Sequence, residues 1–196
     1  MEWSILFAGP VGASKTQAIR TISDIEVVST EAAATDDIAM FKENTTVAMD
    51  MGVLHLEGQD KVRLYGAPGQ SRFDFMWDIL LLQARGLVLL IDHSRPDPIA
   101  DLDFYLQELL DRMGQRPLPV VVGITHMDVG ASSDLGPYRD YLSRRVTPTL
   151  GGVTPVFEAD ARSSRDVRTL LMALTSMLDM FERFPQRAKP AAFSHA

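Results

Sequence analysis

Two uninterrupted apolar runs, Gly86–Asp92 (GLVLLID) and Leu118–Thr125 (LPVVVGIT), constrain this chain more than any other feature. A strand that alternates apolar and polar residues keeps one wet face. A strand that is apolar throughout is covered on both faces, as in the middle of a parallel sheet. Parallel strands need crossovers, and Pro98–Met113 supplies one, with Leu102, Tyr105, Leu106, Leu109 and Leu110 at helical spacing. The alternation continues to either side. Trp3–Ala8 reads as a buried strand, followed by a Gly-rich turn and a helix over about Lys15–Ile22. Leu135–Arg145 predicts a shorter helix and Val153–Ala159 a last strand. Ser163–Phe184 predicts an amphipathic helix built on Val167, Leu170, Leu171, Leu174, Met177, Leu178 and Phe181. In Thr46–Leu56, Val47, Met49, Met51 and Val53 fall on one face; Gly58-Gln-Asp60 predicts a hairpin turn and Lys61–Tyr65 the returning strand. The expected fold class is α/β: a doubly wound, mostly parallel sheet with one antiparallel hairpin strand and helices on both faces.

A chain of 196 residues, 46% hydrophobic, is expected to form one domain, here over residues 1–184, with a Pro/Ala-rich disordered tail over 185–196. Ser29–Thr46 has no sustained period and is expected to be a functional loop. No apolar run is longer than Leu87–Ile91, far below the ~18 residues of a membrane span. No basic leader precedes Trp3, so a cytoplasmic protein is expected. The absence of cysteine removes disulfides, thiolate metal sites, cysteine nucleophiles and prenyl or palmitoyl anchors, and Glu2 stands where myristoylation needs glycine. No direct membrane anchor is therefore expected. A formal charge of −7 argues against a nucleic-acid partner, which calls for surplus Lys and Arg.

Gly9-Pro-Val-Gly-Ala-Ser-Lys-Thr16 resembles the Walker A loop G-x-x-x-x-G-K-[ST], with Ser14 in place of the last glycine. It lies between a predicted strand and a predicted helix, as such a loop must, and narrows the fold to a P-loop NTPase. The backbone through Gly9, Val11, Gly12, Ala13, Ser14, Lys15, Thr16 and Gln17 is expected around the phosphates, helped by the positive end of the helix. Lys15 is expected on the β and γ oxygens and the Thr16 hydroxyl on Mg²⁺. Ser14 is expected to be acceptable, since serine is favoured at a helix start.

The downstream residues resemble the Ras-like small GTPases, and most closely the bacterial Mgl-type branch of motility and polarity GTPases, over Trp3 to Phe184. The resemblance implies a role for each matching residue. In Asn44-Thr-Thr46 the match to the switch I threonine is Thr46, with Thr45 as the neighbouring candidate, and its hydroxyl is implied to join Mg²⁺. The D-x-x-G-Q motif reads Gly66-Ala-Pro-Gly69-Gln70: Gly69 is implied to meet the γ-phosphate and Gln70 to orient the attacking water. Gly66 replaces the usual aspartate, a departure shared by the Mgl-type branch. Asp50 is a candidate to compensate, although its default reading is a solvated strand residue.

The base-reading motif N/T-K-x-D is matched by Thr125-His-Met-Asp128, with Asp128 implied to accept the N1–H and N2 amino protons of guanine. His126 replaces a lysine and could stack on the base instead. The S-A-K motif is matched loosely by Ala159-Asp-Ala161-Arg162, where the Ala161 N–H is implied to meet guanine O6, with Arg162 beside it. In Arg72–Asp78, Phe73, Met76, Trp77 and Leu80 share a helical face and are expected in the core, while Phe75 is off that face.

The resemblance implies a GTP/GDP switch with Mg²⁺, hydrolysing slowly alone. No arginine lies in Ser29–Thr46 to supply charge, Lys42 being the only base there. It further implies a roadblock-fold GTPase-activating partner and an effector protein. A pseudo-GTPase scaffold, suggested by the departures at Ser14, Gly66 and His126, is the alternative; a P-loop kinase is disfavoured for want of an Arg-rich lid.

Overall fold

The Trp3–Ala8 segment and the two apolar runs form the middle of one sheet. The computed structural model describes residues 2–29, 49–56, 58, 60–68, 74–114, 116, 118–129, 134–145 and 153–183. Its elements run β1 (Glu2–Ala8), α1 (Lys15–Ile22), β2 (Val28–Ser29), β3 (Asp50–His55), β4 (Lys61–Gly66), α2 (Asp74–Gln83), β5 (Gly86–Asp92), α3 (Pro98–Met113), β6 (Val120–Thr125), α4 (Gly136–Arg144), β7 (Val156–Glu158) and α5 (Ser164–Arg183). The sheet has the order β2-β3-β4-β1-β5-β6-β7. β3 runs antiparallel to both its neighbours, and all other pairings are parallel. This is the α/β, doubly wound P-loop NTPase architecture expected from the sequence, with β3 as its one reversed strand.

Every residue of β5 and β6 is buried, because helices cover both faces. Alternate residues enter two cores. Leu87, Leu89 and Ile91 pack with α2, α3 and α4 through Trp77, Leu102 and Tyr138. Val88 and Leu90 pack with α1 and α5 through Ile19, Leu170 and Leu174. Trp77 and Leu80 are buried as their helical spacing predicts, whereas Phe73 and the side chains of Phe75 and Met76 lie outside the described residues. So does the expected tail over 185–196.

The hairpin differs from its one-face reading. Met49 and Met51 enter the α2/α3/α4 core, but Leu54 enters the other core, under α1. That second face is covered because α1 packs tightly on β3: a Cβ at Gly52 would lie 2.8 Å from Ile19 Cγ2 and 2.9 Å from Ser23 Oγ. Ser23 is itself held by Val53, whose N–H donates to Ser23 Oγ at 3.2 Å.

The strand order reverses at β1, whose neighbours are β4 and β5. Ligands of open α/β sheets gather at such a switch point, outside the carboxyl ends of the strands. The Gly9–Ser14 loop begins there. Since Ile19 is fully buried and Ser23 is bonded in place, Gly52→Ala has no room. It is expected to cost about 1–3 kcal/mol, read as a lower urea midpoint at unchanged m-value.

Candidate functional site

The phosphate-loop sequence adopts a chain of unusual backbone angles between β1 and α1. Gly9 has φ 134° and Gly12 φ 91°. At Gly9 the reason is contact as well as angle, because a Cβ there would lie 2.0 Å from the Leu90 carbonyl oxygen. Ser14 departs from its expected helix-start geometry: it is left-handed, φ 63° and ψ 28°, and its side chain caps nothing. The position keeps the glycine-type backbone without the glycine, at a cost of roughly 1–2 kcal/mol. Lys15 Nζ donates to the Gly9 and Pro10 carbonyls, at 2.8 and 2.7 Å. Burial pulls its pKa down to about 8, and the Asp50 charge opposes part of that shift.

Asp50 is not the solvated strand residue of its default reading. Its carboxylate accepts a hydrogen bond from the Thr16 hydroxyl. The register of the hairpin explains this: Asp50 pairs directly with Gly66. A Cβ at Gly66 would lie 3.2 Å from Asp50 Cβ and 3.1 Å from Ile19 Cδ1, so glycine leaves the space that the Asp50 side chain crosses to reach α1. A carboxylate from the strand that neighbours Gly66 thus stands against Thr16.

Thr125, His126 and Asp128 stand at the carboxyl end of β6, and Ala161 and Arg162 in the turn between β7 and α5. They line one cavity of about 490 Å³ with Ser14, Gln17 and Glu158. Each wall has its own fastening. The buried Thr125 hydroxyl donates to the Ile91 carbonyl at 3.2 Å. Thr21 Oγ1 of α1 donates to the Ala161 carbonyl at 2.7 Å, tying the turn to the helix. Asp160 holds that turn, accepting from the Arg162 N–H at 2.8 Å, and the Arg162 hydrogen bonds keep its carboxyl below the usual range. Arg162 Nη2 also lies 3.7 Å from Asp128 Oδ2, both side chains being largely exposed.

His126 is the link between the two halves of the site. Its backbone is left-handed, φ 56°, which turns the ring back towards the loop. Nε2 lies 3.3 Å from Ser14 Oγ, and Nδ1 lies 3.0 Å from Asp92 Oδ1. Burial acts to raise the Asp92 pKa, but hydrogen bonds from Ser94 and the adjacent imidazole outweigh it and the carboxyl titrates below its usual value. An ionised Asp92 accepts Nδ1–H, and the opposite ring nitrogen, Nε2, faces the Ser14 hydroxyl. The two residues that depart most visibly from the motifs therefore touch each other.

Thr45, Thr46, Gly69 and Gln70 lie outside the described residues. Sequence reasoning passed over Asp92 and Arg95. Asp92 carried a signal, a carboxylate closing a buried strand at the end where ligands gather. Arg95 carried none: only the fold brings its Nη1 to within 3.4 Å of the Val11 carbonyl.

Residues 12–192 match a family described as conserved hypothetical ATP binding protein. An uncharacterised protein of Methanocaldococcus jannaschii is 28% identical over 85 residues, 43% of this chain and 51% of that protein, so the chain spans about half the length of that relative. The family description supports nucleotide binding on a P-loop NTPase-like fold, and nothing in it is specific to Ras-like or Mgl-type GTPases. No helix among the described residues is long and apolar enough to cross a membrane. With the match covering nearly the whole fold, the chain belongs to the family of conserved hypothetical ATP binding proteins.

Proposed function

We propose that this protein is a guanine-nucleotide switch that binds GTP with Mg²⁺ and hydrolyses it to GDP. The observation that carries this reading is that Asp128 lines the same cavity as Ser14 and Gln17 of the phosphate-binding end. A carboxylate there pairs with the adjacent N1–H and N2 amino donors of guanine. Adenine lacks that pair of donors and leaves the acid unsatisfied, a penalty of about 1–3 kcal/mol or more for a charged group. Ala161 and Arg162 bound the same cavity, which suits the guanine O6 contact implied by the motif.

Thr16 and Asp50 offer hydroxyl and carboxylate oxygen, the hard donors that Mg²⁺ takes, and Lys15 stands beside them. When bound, Mg²⁺ neutralises charge on the β and γ oxygens. In this reading Thr46 and Gly69 respond to the γ-phosphate and Gln70 positions water. A roadblock-fold activator and an effector in motility, polarity or signalling follow from the resemblance alone.

One observation favours the scaffold alternative, a fold that docks partners without turnover: Arg162 already neighbours Asp128. The deciding experiment is to denature the purified protein, identify the nucleotide released, and titrate the emptied protein with GDP and ADP. Guanine nucleotide is expected, with Asp128→Asn shifting preference towards xanthine nucleotides. Adenine nucleotide would overturn the guanine assignment, and no nucleotide would favour the scaffold. Asp50→Asn is expected to raise the Mg²⁺ concentration for half-maximal nucleotide retention by about 10–100-fold. An unchanged Mg²⁺ dependence would remove Asp50 from the metal's surroundings.

A further inference from the structure

We infer that Arg95 is an arginine supplied in cis to the γ-phosphate end of the phosphate loop, and that it stabilises the transition state of hydrolysis. The inference rests on the hydrolytic reading above. Its basis is the turn between β5 and α3, which is fastened at both ends. Asp92 Oδ1 accepts from the Ser94 N–H at 2.9 Å and from the Ser94 hydroxyl at 2.6 Å. At the far end Asp97 caps α3, accepting from the Ala100 N–H at 2.9 Å. The turn lies against the loop, with Asp92 Oδ2 at 3.7 Å from a Cβ built on Gly12.

From this short turn Arg95 reaches back over the loop. Nη1 sits 3.4 Å from the Val11 carbonyl, and Nε forms an ion pair with Asp101 at the start of α3. The pair is close but poorly aligned, since buried Asp101 Oδ2 receives no hydrogen bond among the described residues. Lys15 meanwhile holds the carbonyls of Gly9 and Pro10. Two cations thus sit on three consecutive carbonyls, Lys15 from inside and Arg95 from the solvent side. Lys15 marks the β/γ-phosphate position in a Walker A loop, so Arg95 stands at that same end. Its contact with Val11 is long and its side chain is 40% exposed, which leaves most of its five N–H donors for a ligand.

The chemistry needs a cation at that place. Water attacks the γ-phosphorus, a P–O bond forms, and the bond from the γ-phosphorus to the β–γ bridging oxygen breaks. The electron pair leaves on the GDP β-phosphate, and the proton of water ends on inorganic phosphate. Negative charge spreads over the γ oxygens and grows on the bridging oxygen as this bond lengthens, and a guanidinium fork matches those oxygens. In this scheme a regulatory partner arranges groups that the chain already owns.

The test is single-turnover GTP hydrolysis by the full chain without partners, comparing wild type with Arg95→Ala and Arg95→Lys. GDP affinity and binding of GDP with aluminium fluoride are measured in parallel. Wild type is expected to turn over on the order of 10⁻² s⁻¹, the range of GTPases with an in-cis arginine. Arg95→Ala is expected to lower that rate by about 10³-fold and to lose the aluminium fluoride complex. GDP affinity should stay within about threefold, because the developing charge is absent from GDP. Arg95→Lys should fall between, keeping charge without the fork. Wild-type rates in both variants would overturn the assignment, as would a parallel loss of GDP affinity, which marks a structural role. A wild type that binds guanine nucleotide but never hydrolyses it would instead overturn the hydrolytic reading, and Arg95's role with it.

Discussion

The approach of the phosphate loop to β5 is the constraint on which the rest of the site depends. Gly9 lies so close to the Leu90 carbonyl that any side chain would overlap the strand backbone. With that contact fixed, the loop turns at the carboxyl end of β1 and α1 begins at Lys15. The helix then lies over β3, where Gly52 and Gly66 let Ile19 sit against the hairpin. That packing brings Thr16 to Asp50, a contact between a helix start and a strand paired two positions from β1 in the sheet. Close packing of backbone on backbone, rather than any single polar contact, sets where the charges stand.

Much of this was legible in the residues. β5 and α3 coincide with their apolar run and helical spacing, because burial on both faces and along one stripe leaves strong periodic signals. Helix ends were legible within a residue or so where Pro98 or Gly114 marks them. The hairpin was less legible. Its alternation suggested one buried face, but glycine at residue 52 hides the second, since an absent side chain leaves no hydrophobic mark. Of the motif residues, Ser14, Gln17, Thr125, His126, Asp128, Ala161 and Arg162 line one cavity.

What escaped the sequence was the pairing of distant residues. Ser14 looked like an ordinary helix start, yet its left-handed backbone is imposed by the loop, and local preference cannot reveal that. Asp50 looked like a surface residue because nothing in Thr46–Leu56 tells which neighbour faces it; the answer is a register that sets it opposite Gly66. Asp92 and Arg95 belong to a turn whose partners follow the two strands that flank β5, far away in sequence. In each case the deciding contact crosses between elements, whereas motif spacing describes one element at a time.

The contact between Ser14 and His126 joins residues 112 positions apart, and each stands where the related motifs carry something else. Their energetics are therefore coupled. Glycine at residue 14 would relieve the left-handed backbone and remove the hydroxyl that His126 Nε2 faces; lysine at residue 126 would set an ammonium beside that hydroxyl. Non-additivity of this kind is expected of residues in direct contact. The Gly9–Ser14 loop and the carboxyl end of β6 are thus mechanically joined, so that a change of shape at residue 14 is felt at residue 126.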